Sequence, residues 1–240
     1  LKKNGVSRTI VIQAHHSIEE SKFLLELSEN VDFIAGVVVW VDLTRPGVGR
    51  LLDQFMKRAK FVGVRHMLES EEDDSWVIRE DVVSGLREVA DRGLTYDLLV
   101  RPHHLPYIPR LAERLPKLRM VIDHISKPPV VDGSIEPWAS AIADVSTIPG
   151  IHCKLSGMVT EADHRRWSVE DLVPYVAHVV ELFGFDRLMW GSDWPVCLLA
   201  ATYERVIESA LAAVGPVSST DYGKLMGLNA VNFYQLKPPV

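Results

Sequence analysis

The chain has 240 residues, 47% of them hydrophobic and 24% charged, and its formal net charge is -6 at pH 7. This length is close to the roughly 250 residues of a single eight-stranded α/β barrel and allows a large core. The acidic balance, with Lys and Arg scattered along the chain, argues against a nucleic-acid-binding surface. No apolar run reaches the ~18 residues that cross a bilayer, so we expect no membrane partner.

Cysteine usage indicates the cellular compartment, and the first residues of the chain indicate that a segment ahead of Leu1 is missing. Cys153 and Cys197 are the only cysteines, and each lies near the end of a predicted strand. This usage favours a reduced, cytoplasmic protein over a disulfide scaffold. The chain begins with Leu-Lys-Lys-Asn-Gly, which resembles the tail of a helix, so we expect residues ahead of Leu1 to be missing.

From residue 9 onward, apolar strands alternate with amphipathic helices. Seven strands are predicted, at residues 9–13, 33–41, 61–65, 96–100, 119–123, 151–155 and 188–190. Helices are predicted at residues 17–28, 51–58, 81–92, 108–115, 138–145 and 168–183, with two or three more after the last strand.

Alternation of this kind indicates an α/β fold, with a parallel sheet covered by helices. A doubly wound sheet and a barrel both fit the periodicity. No Gly-x-Gly-x-x-Gly follows the first strand, which weakens the dinucleotide-binding version. Seven strands plus a missing first one complete a TIM (β/α)8 barrel. We therefore expect one barrel domain over residues 1–240, incomplete at its N-terminus.

Polar residues follow the ends of several predicted strands. In a barrel, the carboxyl ends of the strands meet at one mouth, where the active site lies. Asp193 follows the last strand through a Gly-Ser turn, and a carboxylate buried there needs a partner unless it caps a helix. The residues expected at this mouth are Arg65, His66, His103 or His104, His124, Lys154 and Asp193.

Two kinds of chemistry are open to Asp193 and His124. Together they can hold a divalent metal, for which zinc is the most plausible ion. Alternatively, Asp193 takes a proton from water while His124 polarises a carbonyl group. Arg65, His66, His104 and Lys154 would then bind an oxygen-rich substrate, and Trp194 would form a wall of the pocket.

Each of these residues also has a structural interpretation. Lys154 could neutralise Asp123. His124 could be a core histidine, and His66, His103 and His104 could be solvated loop residues. Residues 15–16 and the acidic residues at 69 and 71–74 are expected in solvated loops, and Trp40, Trp76 and Trp138 in the core.

Four segments together resemble the amidohydrolase-related (amidohydrolase 2) family. They are Gly63-Val-Arg-His66, Val121-Ile-Asp-His124 with Lys127-Pro128, Cys153-Lys-Leu-Ser-Gly157 and Leu188-Met-Trp-Gly-Ser-Asp-Trp-Pro195. They are most similar to the branch of L-fuconolactone and L-rhamnonolactone hydrolases, and the resemblance covers essentially the whole chain. It implies a (β/α)8 barrel that hydrolyses a small-molecule lactone, often with one divalent metal.

The resemblance also implies roles for two residues. Asp193 matches the family's strand-eight Asp, a metal ligand that here would also be the general base. His124 matches the strand-six His, a second ligand and the group that polarises the carbonyl. Arg65-His66 stands where binuclear relatives carry a bridging Lys or Glu, so a two-metal site is not expected.

The strand-one His-x-His of the family has no counterpart in the chain. The resemblance therefore predicts that about a strand's worth of residues is missing before Leu1. Because some lactonases of this family work without metal, a metal-free mechanism stays open. Two alternatives to a lactonase also remain: a metal-dependent decarboxylase of the superfamily and a non-catalytic sugar-acid-binding barrel. Assembly into a homo-oligomer is left open.

Overall fold

The computed structural model describes residues 1–237. These residues form seven strands, which follow one another in chain order across one sheet. The strands are β1 (Thr9–Ile12), β2 (Ile34–Val39), β3 (Phe61–Met67), β4 (Thr95–Leu99), β5 (Arg119–Ile122), β6 (His152–Leu155) and β7 (Leu188–Trp190). The pairings β1–β2, β2–β3, β5–β6 and β6–β7 are all parallel. The predicted α/β class is therefore confirmed.

Helices follow the strands, as the alternation predicts. In the described part of the chain they are α1 (Ile18–Asn30), α2 (Val48–Phe55), α3 (Glu80–Asp91), α4 (Ile108–Arg114), α5 (Trp138–Ser146), α6 (Val169–Phe183), α7 (Tyr203–Val214), α8 (Ser219–Gly223) and α9 (Asn229–Phe233). The predicted capping box at the start of α6 is present, with Ser168 N–H donating to Asp171 Oδ2 at 2.8 Å.

Two boundaries differ from the prediction in ways that bear on function. Helix α2 begins three residues earlier than predicted, because Gly47 adopts φ 82 and starts the helix at Val48. Strand β3 continues to Met67, so His66 lies within a buried strand and not in the loop after it. A loop position for His66 was therefore wrong.

The first of two compact units comprises Leu1–Leu98, Arg110–Met120 and the residues from Ala230 onward. Its core combines the fully buried centre of β2 with the inner faces of α1, α2 and α3; the main contributors are Val37, Val38, Val39, Leu25, Leu52, Val82, Leu86 and Val89. Tyr234 Oη donates to Asp97 Oδ2 at 2.7 Å, which ties the last helix of this unit to β4.

The second unit comprises Leu99–Pro109 and Val121–Asn229. Strand β6 packs against α6 and pairs with β7. The fully buried contributors to this core include Val121, Ile122, Cys153, Leu155, Leu188, Val176 and Val179. Trp138 is also fully buried, as predicted. The assignment of residues 1–240 to one domain stays a prediction.

Both cysteines are buried and free of disulfides. Burial raises the pKa of the Cys153 and Cys197 thiols, so neither is a reactive thiolate at neutral pH. Along the described residues, no helix is both long and apolar enough to cross a membrane. Location in the cytoplasm stays a prediction, and assembly into a homo-oligomer stays open.

Gly85 lets α3 approach the loop after β2, and replacing it with Ala should destabilise the fold. A Cβ at residue 85 would lie 2.1 Å from the Leu43 carbonyl oxygen. We expect Gly85→Ala to lower the free energy of unfolding by about 1–3 kcal/mol in urea denaturation, although Ala is the better helix former. Gly227→Ala is the control, since a Cβ there meets nothing within 4 Å. Equal stability of the two variants would contradict the close contact.

Candidate active site

His124 lies two residues beyond the end of β5 and begins a short left-handed turn. The residues from His124 to Lys127 have φ values between 45° and 61°, a conformation that costs an L-residue about 1–2 kcal/mol. Burial holds the turn, because Ile125 and Ser126 are fully buried and the Trp138 indole N–H donates to the Ile125 carbonyl oxygen at 2.7 Å. Strain of this kind concentrates at functional sites.

Asp193 lies in a second strained turn, three residues beyond the end of β7. Its φ is 55°, and its Oδ1 lies 3.4 Å from His124 Nε2. The two side chains are 15% and 11% exposed, so both are shielded yet still reachable from solvent. The structure thus brings together the two residues on which the sequence analysis placed the chemistry.

Ser156 orients the His124 ring from the other side. Its Oγ lies 2.8 Å from His124 Nδ1, and the hydroxyl can donate or accept. With the proton on Nδ1, the ring donates to Ser156 and its Nε2 lone pair is directed at the Asp193 carboxylate. The opposite tautomer needs an Nε2–H···O bond, for which 3.4 Å exceeds the usual 2.7–3.2 Å. The first tautomer places two acceptors opposite each other, and a cation bound between them would compensate their repulsion.

This arrangement fits a divalent cation. Two ligand atoms about 2.1 Å from a zinc ion lie about 3.4 Å apart at a tetrahedral angle. The measured separation of His124 Nε2 and Asp193 Oδ1 is 3.4 Å. Ser156 supplies the outer contact that a metal-bound histidine usually has on its other nitrogen. His124 Nε2 and Asp193 Oδ1 would therefore serve as two of the ligands of a divalent cation.

The His124 ring occupies space that only glycine leaves open at residue 157. Gly157 has φ 66°, and a Cβ there would lie 2.7 Å from His124 Cβ and Cγ. The ring position thus depends on two residues of the Cys153-Lys-Leu-Ser-Gly157 segment, Ser156 and Gly157. Neither residue was predicted to have a role, and the sequence signal for both is the Ser-Gly pair directly after a predicted strand.

Lys154 is paired with a buried carboxylate. Its Nζ lies 2.7 Å from Asp123 Oδ1, and the side chains are 8% and 0% exposed. This contact is the structural interpretation that the sequence analysis raised for Lys154. A buried pair tolerates the loss of one partner poorly, because the remaining charge is left without compensation. A contact between Lys154 and substrate stays a prediction.

In the first unit, Arg65 is held by Gln13 and His66 by aromatic neighbours. Arg65 donates through Nε to Gln13 Oε1 at 3.1 Å, and its Nη2 contacts the Gln13 carbonyl oxygen. The His66 ring stacks on Trp76 with centroids 3.9 Å apart and hydrogen-bonds Glu71 at 2.7 Å. The carboxyl end of β3 thus carries a cation and an imidazole, both buried. Their contact with substrate stays a prediction.

The other two predicted substrate-binding residues have opposite environments. His104 is buried, and its Nδ1 accepts a hydrogen bond from the Arg101 backbone N–H at 3.0 Å. Trp194, next to Asp193, is 62% exposed, so its indole is available for contact with a ligand. The alternative of a solvated His104 is therefore wrong, and the predicted substrate contacts of His104 and Trp194 stay predictions.

Residues 2–236 match the model of the amidohydrolase family, and the chain therefore belongs to that family. It is 36% identical over 252 residues to a protein named L-fucono-1,5-lactonase from Burkholderia ambifaria. That match covers 100% of this chain and 83% of the relative. The resemblance recognised in the sequence is thus confirmed.

Solved structures show the same fold. A crystal structure of an amidohydrolase from Burkholderia multivorans with bound Zn superposes with a TM-score of 0.94 at 32% identity, covering 98% of this chain and 86% of that one. A 2,6-dihydroxybenzoate decarboxylase from Rhizobium has a TM-score of 0.70 at 13% identity, which shows a shared fold alone. The predicted TIM-barrel class is confirmed by these neighbours.

Gly157→Ala should displace the His124 ring and weaken zinc binding. We expect a loss of at least about tenfold in zinc affinity, comparable to the loss of an outer-shell partner, measured by equilibrium dialysis. Gly133→Ala is the matched control, since Gly133 has φ 64° but a Cβ there meets nothing within 4 Å. If both variants bind zinc like the parent protein, the crowding at His124 has no consequence.

Lys154→Met should destabilise the protein more than the double substitution Lys154→Met/Asp123→Asn, which removes both charges of the ion pair. The single substitution leaves Asp123 charged and buried, at a cost of about 3–5 kcal/mol in the free energy of unfolding. Adding Asp123→Asn removes that charge and should recover most of the loss in chemical denaturation. If the double variant is as unstable as the single one, the pair does not control stability.

Proposed function

We propose that this chain is a lactonase that hydrolyses the ester bond of a sugar lactone. The observation that carries the proposal is the 3.4 Å approach of His124 Nε2 to Asp193 Oδ1 at two strained turns. Family membership and 36% identity to a protein named L-fucono-1,5-lactonase support the same reaction class. The substrate class is a cyclic ester of a polyhydroxylated acid.

His124 and Asp193 are the residues that would hold a divalent metal, with zinc as the proposed ion. The bound Zn of the similar Burkholderia multivorans structure supports this choice of ion. A divalent ion held there supplies Lewis acidity toward a carbonyl group. Ser156 keeps the His124 ring turned so that Nε2 is presented to Asp193.

Asp193 acts as the general base. Its carboxylate takes one proton from a water molecule as the water oxygen bonds to the lactone carbonyl carbon. The tetrahedral intermediate then breaks the bond between that carbon and the ring oxygen, and Asp193 returns its proton to the departing oxygen. The product is an open hydroxy acid, whose ionisation at neutral pH releases a proton that a pH indicator detects.

The remaining predicted residues bind the substrate in this proposal. Arg65, held rigidly by Gln13, offers guanidinium donors to substrate oxygens. Lys154 adds positive charge, His104 a polar group and Trp194 an apolar group. His66 contributes by fixing the position of the Glu71 carboxylate, to which it is hydrogen-bonded.

Asp193→Asn should abolish lactone hydrolysis while the protein stays folded, because an amide cannot take the proton from water. We expect the rate to fall by at least about 100-fold, the scale of general-base catalysis, in a pH-indicator assay on sugar lactones. Asp132→Asn, at an exposed carboxylate, is the control. Retained activity in Asp193→Asn would refute the assignment.

The same assay run with a chelator tests the metal. Hydrolysis that stops with chelator and returns with zinc supports the metal-dependent reaction, whereas indifference to chelator favours polarisation of the carbonyl by His124 alone. Release of carbon dioxide from an aromatic acid, without lactone opening, would favour the decarboxylase alternative. Binding of a sugar acid without either reaction would favour the non-catalytic barrel.

A further inference from the structure

A second group of potential metal ligands lies in the first unit. One ligand atom each from His16, His66 and Glu71 lies within 4.8 Å of the others. The centroids of the His16 and His66 rings are 4.1 Å apart, and the His66 ring also stacks on Trp76. Glu71 is half-buried, and not the solvated turn residue that the sequence suggests. Distance alone would make this group a candidate metal site.

The hydrogen bonds of the two imidazoles argue against a metal. A neutral imidazole has one nitrogen with a lone pair and one that carries a proton. The Trp40 indole N–H, which can only donate, points at His66 Nδ1 from 3.1 Å. The Met67 backbone N–H, also donor-only, points at His16 Nε2 from 3.0 Å. Each ring has therefore already used its lone pair.

Both rings are neutral at physiological pH. Burial lowers the pKa of His66 to about 4, against a smaller opposing influence from Asp42. Burial also lowers the pKa of His16 to about 4, helped by the nearby His66. The close contact of His66 with Glu71 is thus a hydrogen bond from neutral Nε2–H and not an ion pair.

The tautomers define what this group offers to a ligand. His66 donates through Nε2–H to Glu71 Oε1 at 2.7 Å, which fixes the carboxylate in place. His16 keeps a proton on Nδ1 and so presents a donor. Among the described residues, no hydrogen bond to Glu71 Oε2 is formed. A ligand atom of Glu71 lies within 4.8 Å of one of His16. A carboxylate and an imidazole at this separation together match a hydroxyl group, which donates and accepts at once.

We propose that Glu71 and His16 form a hydroxyl-binding subsite, backed by His66, Trp40 and Trp76, that recognises a neutral polyhydroxylated ligand and does not bind metal. This inference rests on the proposed lactonase function, because the ligand it names is a hydroxylated lactone. A ligand carboxylate, which only accepts hydrogen bonds, is disfavoured here by the charge of Glu71. The subsite thus selects sugar lactones over anionic lactones.

Calorimetry with a polyhydroxylated δ-lactam, an analogue that resists hydrolysis, tests the subsite on the full chain. We expect Glu71→Gln to weaken binding about tenfold, as the loss of one charge-assisted hydrogen bond does. Glu72→Gln, at the exposed neighbouring residue, should bind like the parent protein. The hydroxyl-free analogue δ-valerolactam should not distinguish the three proteins.

Unchanged affinity of Glu71→Gln for the polyhydroxylated lactam, or no binding by the parent protein, overturns the subsite. Equal weakening with δ-valerolactam also overturns it, because the effect would then not depend on hydroxyl groups. Lactam binding does not require hydrolysis, so this result is separate from failure of the proposed function. A protein that binds the lactam through Glu71 but opens no lactone would retain the subsite and lose the lactonase assignment.

Zinc stoichiometry tests the exclusion of metal. The double variant His124→Asn/Asp193→Asn keeps the His16, His66 and Glu71 group intact. We expect Glu71→Gln to change the zinc content of this double variant by less than about a tenth of an ion per chain in equilibrium dialysis, because both imidazole lone pairs of the group are already used. One full equivalent of zinc that disappears when Glu71→Gln is added would overturn the exclusion.

Discussion

The approach of His124 to Asp193 depends on a backbone conformation that the local sequence disfavours. Four consecutive residues after β5 have positive φ, although none is glycine. Such a turn persists only where its surroundings over-determine it. Here the burial of Ile125, the indole hydrogen bond of Trp138 and the missing Cβ of Gly157 do so together. The candidate site therefore rests on packing in the second unit as much as on its own two side chains.

Buried polar groups elsewhere follow the same rule of compensation. Lys154 meets Asp123, Arg65 meets Gln13, and Tyr234 meets Asp97, each across many residues of sequence. An uncompensated charge in these positions would cost several kcal/mol. Polar residues at strand ends thus serve structure and chemistry at once, and their mere presence does not separate the two roles.

Two groups contain histidine: His124 with Asp193, and His16 with His66 and Glu71. They differ in whether the imidazole lone pairs already accept a hydrogen bond. The partner of His124 Nδ1 is a hydroxyl, which can accept the ring proton and so leaves Nε2 for a cation. The partners of His16 and His66 are N–H groups that can only donate. Similar distances therefore describe a candidate metal site in one unit and a hydrogen-bonded carboxylate in the other.

The sequence by itself determined the alternation of seven strands with helices, and with it the α/β class. It also marked His124 and Asp193, because periodicity and strand ends are local properties of the chain. Only the tertiary structure decided the left-handed turn, the pairing of Lys154 and the position of Glu71 beside His66. Those features depend on partners far away in sequence: Trp40 and His66 are 26 residues apart, and His16 and Met67 are 51 apart. Local propensity carries no information about which distant N–H group will donate a hydrogen bond to a ring nitrogen.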